Sequence, residues 1–65
     1  MEERMLKWFD YAHLPENLSG VSSRFSDLAS LLVVELAAGP ERTVALRKLL
    51  EAKDAAVRAR LHPGG

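Results

Sequence analysis

The sequence predicts an all-α fold: an antiparallel helical hairpin, preceded by a short aromatic segment or helix and assembled as a homo-oligomer. Three observations carry that expectation. Leu14, Leu18, Val21, Phe25, Leu28 and Leu32 recur at spacings of four, three, four, three and four, which keeps one apolar stripe in register along a helix. Gly39-Pro40 then interrupts the chain, because glycine suits the left-handed position after a helix end and proline the first turn of the next helix. Beyond it, Leu46, Leu50, Val57 and Leu61 form one ridge, and Ala45, Leu49, Ala52, Ala56 and Ala59 form a neighbouring one. One partner helix cannot cover both ridges.

Length sets the frame for these elements. The chain has 65 residues and a mass of 7.2 kDa, so it is read as a single domain, 1–65. Fewer than about 70–80 residues seldom supply a self-sufficient core, and small domains add staples or partners. Cysteine is absent, which removes disulfides and cysteine-based zinc sites. The two histidines have no carboxylate at a ligand spacing, so neither a metal site nor a cofactor is expected. Helix packing and self-association remain as sources of stability.

Charge and hydropathy exclude further classes. Nine basic residues balance nine acidic ones and the isoelectric point is about 6.7, so general coating of a long nucleic acid is not expected. Hydrophobic residues make up 48% and charged residues 28%, a composition that folds rather than staying disordered. The longest apolar run is Leu31-Leu32-Val33-Val34, far short of the roughly 18 residues that span a bilayer. Met1-Glu2-Glu3-Arg4 contains no secretory hydrophobic stretch, and a cytoplasmic protein is expected.

The first long helix is expected at about 15–36, opened by Pro15 with its fixed φ and with Glu16 at the positive end of the dipole. Gly20 and the serines around it weaken that start, the glycine by about 1 kcal/mol. The turn is expected at 37–39 and the second helix at about 40–61, with Glu41 in its first turn, Arg58 and Arg60 in its last, and Pro63-Gly64-Gly65 beyond. The alanine ridge either packs closely against another copy or fills exposed positions because alanine forms helix well. Residues 1–39 carry a net charge of −3 and residues 40–65 a net +3. Antiparallel helices can pair such excesses along their flanks, setting register more than stability.

Few residues could carry chemistry. Lys53 falls on the Leu46/Leu50/Val57/Leu61 ridge where an apolar residue is due. It must snorkel, pair with Asp27 or Asp54, or face an anion pocket shared with Arg24. Trp8, Phe9 and Tyr11 cluster with Lys7, Asp10 and His13 ahead of the first helix. Such rings either stack on nucleobases, at about 1–3 kcal/mol per base, or cap the open end of the hairpin or anchor a second subunit. Catalysis finds no support: no Gly-rich phosphate loop, no zinc-binding helix motif, and no spaced nucleophile, base and acid. His13 and His62 are read as surface or cap residues.

Tyr11-Ala-His-Leu14, then a heptad-like helix, a short break and Glu41-Arg42-Thr-Val-Ala-Leu46-Arg-Lys-Leu49-Leu-Glu-Ala52, form an order of features that resembles a phage family. It is similar to the small helical-hairpin sponges that bacteriophages make against CBASS and Thoeris immunity, and the resemblance covers about residues 8–60. It implies a non-enzymatic protein, active in the cytoplasm of an infected bacterium, that sequesters a cyclic di- or trinucleotide or a cyclic ADP-ribose isomer without cleaving it. The best-known form of that family is a homohexamer, with pockets between protomers.

The resemblance also implies site residues. Tyr11 matches the family tyrosine that stacks on a base, and Arg42 matches an arginine opening the second helix. The family lysine that holds phosphate falls near Ser26 here, where the nearest cations are Arg24 and Lys53. A family aromatic late in the second helix is replaced by Ala55 or Ala56. The expected ligand-binding set is Tyr11, Arg24, Arg42, Lys53, Trp8 and His13. Two other classes stay open on the residues alone: a small helical adaptor or inhibitor of a partner protein, and a DNA-binding regulator using the basic stretch 42–60.

Overall fold

A computed structural model describes residues 4–12 and 14–64. A 3₁₀ helix, Arg4–Phe9, leads into α1, Glu16–Glu35, and α2, Pro40–Leu61. The two long helices pack on each other and the 3₁₀ helix packs on both, giving the expected all-helical hairpin with a short N-terminal helix.

Each boundary has a local cause. Pro15 stands just before α1 with φ −55° and ψ 155°, and its carbonyl accepts the N–H groups of Leu18 and Ser19 at 2.9 and 2.8 Å. Leu36 turns extended after α1, its N–H donating to the Leu32 carbonyl. Gly39 departs from expectation: φ 170° and ψ 174° are extended, so it is not a left-handed cap for α1. It precedes α2 instead, and its carbonyl accepts the Thr43 N–H at 3.1 Å and the Thr43 hydroxyl at 3.2 Å. Among the described residues the left-handed glycine is Gly64, φ 81°, past the end of α2. Pro40 opens α2 and Arg58 and Arg60 close it, as charge and backbone preferences require.

The buried face of α1 differs from the expected stripe. Leu18 and Phe25 face inward, but Ser22 and Ala29 are fully buried where Val21 and Leu28 were expected, and Leu28 stays 44% exposed. Phe9 is the reason. Its ring is completely buried against Ala29 and Leu46, and the small Ala29 side chain leaves the room a phenyl ring needs. A third element thus turns α1 toward its small-residue side. Phe9 packs in the half of the hairpin nearer the turn, against Ala29 and Leu46.

The result is thin. Its extents are 37 × 22 × 15 Å. The radius of gyration is 12.3 Å, against about 10.7 Å for a compact chain of 65 residues. Leu28, Leu31, Val34 and Leu36 of the α1 region and Val44 and Leu61 of α2 remain exposed. Among the described residues, no helix is long and apolar enough to cross a membrane.

Candidate functional site

Two of the expected cationic site residues are bonded to backbone carbonyls. The Lys53 ammonium donates to the Trp8 carbonyl at 3.0 Å and lies 3.7 Å from Asp54 Oδ1, so of the alternatives for this lysine the pair with Asp54 is present. Arg42 donates through Nη1 to the carbonyls of Leu36, at 3.0 Å, and Val33, at 3.3 Å. These belong to the C-terminal end of α1, whose last turn has no basic residue of its own. Arg42 therefore caps from α2 a helix end that the local sequence leaves open.

The others lie apart. Arg24 is exposed on the outer side of α1. Trp8 is 57% exposed, with the Lys7 ammonium 5.1 Å from its ring centroid, within cation–π range. Tyr11 is half-buried, and its carbonyl accepts the Leu14 N–H at 3.0 Å. It stands four residues before Pro15, in the short connection between the 3₁₀ helix and α1. Asp10 fixes that connection by accepting the Ala12 N–H on Oδ1 at 3.2 Å. His13 lies outside the described residues.

At this end two open clefts flank α2. One, of about 400 Å³, is lined by Val21, Ala56, Ala59, Arg60 and Pro63. The other, of about 390 Å³, is lined by Ala55, Arg58, Ala59, His62 and Gly64. Their volumes fall at the low end of the roughly 300–1,000 Å³ of ligand pockets. Short side chains at 55, 56 and 59 create the hollows, and Arg58, Arg60 and His62 supply donors at their walls. Sequence reasoning assigned these arginines to the helix dipole and to the basic stretch 42–60, not to a pocket. The alternation of alanine with cations over 55–62 was the signal that could have found them.

Among the described residues no group of three or more His, Cys, Asp and Glu side chains could hold a metal ion. Comparison of the chain with protein-family models, curated proteins and solved structures returns no match.

Proposed function

We propose that this protein is a non-enzymatic sponge for a cyclic nucleotide second messenger of bacterial CBASS or Thoeris defence, acting for a phage inside the infected cell. The observation that carries the reading is the pair of arginine-walled clefts at the end of the hairpin where α2 finishes. Tyr11 supplies a stacking face for a base. Phosphate contacts fall first to Arg58 and Arg60, because Lys53 and Arg42 already donate to carbonyls of their own chain. Guanidinium groups match phosphate oxygens in charge and geometry.

The resemblance of residues 8–60 to the phage sponges supports the same reading, and the departures from it have a physical counterpart. Where that family carries an aromatic side chain late in the second helix, Ala55 and Ala56 line hollows. A cyclic dinucleotide needs an enclosing pocket, and an open cleft of about 400 Å³ on a single-layer hairpin gives it one wall. A second copy closing the cleft supplies the rest.

Thermal melts against cyclic dinucleotides, cyclic trinucleotides and cyclic ADP-ribose isomers test this, since a ligand that binds only the folded state raises its melting temperature, by about 2.7 kcal/mol of stability at a hundredfold excess over Kd. One class is expected to shift the melt and to be recovered intact after denaturation. Tyr11→Ala and Arg60→Ala should each remove the shift while leaving the unliganded melt in place. No shift with any compound transfers the assignment to the helical adaptor or inhibitor, a reading that the exposed Leu28, Leu31 and Val34 favour.

A further inference from the structure

Four exposed residues of α1, Arg24, Leu28, Leu31 and Glu35, lie on one stripe, at spacings of four, three and four. Their order is symmetrical about a point between residues 29 and 30. Turning the stripe end for end about that point exchanges Leu28 with Leu31 and Arg24 with Glu35. A second copy laid antiparallel on the first therefore meets leucine with leucine in the middle and arginine with glutamate at both ends.

We infer that this stripe is a two-fold interface between copies of the chain, α1 against antiparallel α1. A two-fold contact uses the same patch on both partners, so the patch must be complementary to itself, and this one is in both shape class and charge. A parallel pairing would set Arg24 on Arg24 and Glu35 on Glu35. Area agrees with the need for a partner. The chain exposes 4819 Å², about 700 Å² more than the roughly 4,100 Å² of a monomeric protein of 7.2 kDa. A standard interface covers about 800 Å² on each side. Leu28 and Leu31, 44% and 54% exposed, supply its apolar centre, and the charges about 16 Å apart along the helix close its ends.

The inference deepens the sponge reading by naming how copies meet, and rests on it only in taking self-assembly as part of that function. It is tested without nucleotide, by sedimentation equilibrium of the whole chain, with circular dichroism confirming helicity in each variant. The unmodified protein is expected at an even multiple of its chain mass. Arg24→Glu alone and Glu35→Arg alone each set like charges together at both ends and should raise the dissociation constant about tenfold or more. The double exchange R24E/E35R restores the opposite pairing and should bring association back to within about twofold of the original. Leu31→Ala should weaken assembly in both charge backgrounds. A single-chain mass at high concentration, single reversals without effect, or a double exchange no better than the singles would each overturn the interface. The nucleotide melts decide the sponge reading separately.

Discussion

Lys53 and Trp8, 45 residues apart in sequence, are joined by a 3.0 Å hydrogen bond from the lysine ammonium to the tryptophan carbonyl. The lysine side chain is only 14% exposed, so its stem covers apolar surface while its head serves a backbone group at the end of the 3₁₀ helix. That bond ties the N-terminal segment, and with it the Phe9 ring, to α2.

Lys53→Met keeps the stem and removes the donor. It should destabilise the fold by about 1–2 kcal/mol, the scale of a charge-assisted hydrogen bond. Urea unfolding followed through Trp8, the only tryptophan, measures this. Unchanged stability and emission would show that the bond does not hold the segment.

Arg42→Ala should cost about 2 kcal/mol by leaving the Val33 and Leu36 carbonyls without their guanidinium donor. Hydrogen exchange should then show fraying confined to the last turn of α1. A uniform loss of protection over both helices would instead assign Arg42 to general packing.

Ser22 is fully buried and its hydroxyl meets no hydrogen-bond partner among the described residues. Ser22→Ala removes that desolvated group and should stabilise the fold by about 1 kcal/mol. Equilibrium denaturation gives the sign directly, and a destabilised alanine variant would mean the hydroxyl has a partner.

Gly20 is helical and exposed, and a Cβ there meets nothing within 4 Å. Gly20→Ala should therefore stabilise by about 0.5–1 kcal/mol, through helix propensity and a less flexible unfolded chain. In a domain of this size a gain of 1 kcal/mol raises the melting temperature by roughly 4–8 °C. No rise would mean that something requires the bare backbone at this position.

The second helix, expected at about 40–61 and found at Pro40–Leu61, was legible because Pro40 and Pro63-Gly64 mark its ends locally, although Gly39 does so in an extended conformation and not the left-handed one expected. The inward face of α1 was not. Periodicity identified the apolar stripe, but which edge of it turns inward depends on Phe9, whose position follows from packing across three elements. Lys53 was recognisable as a misfit on an apolar ridge, while its partner carbonyl was not, since any backbone oxygen can accept and sequence does not distinguish among them. Arg42 stood out through family resemblance, and its bonds to α1 depend on the turn between the helices. The clefts at Arg58 and Arg60 arise from what the neighbouring alanines lack, a signal that composition dilutes.

The capping of α1 by Arg42 also orders events in time. Its two bonds close loops of six and nine residues, which form quickly because little chain entropy opposes them. The Lys53–Trp8 bond spans 45 residues and cannot form until α2 is in place. The 3₁₀ segment is thus expected to dock last. This order predicts that substitutions at Arg42 slow refolding, whereas those at Lys53 chiefly speed unfolding.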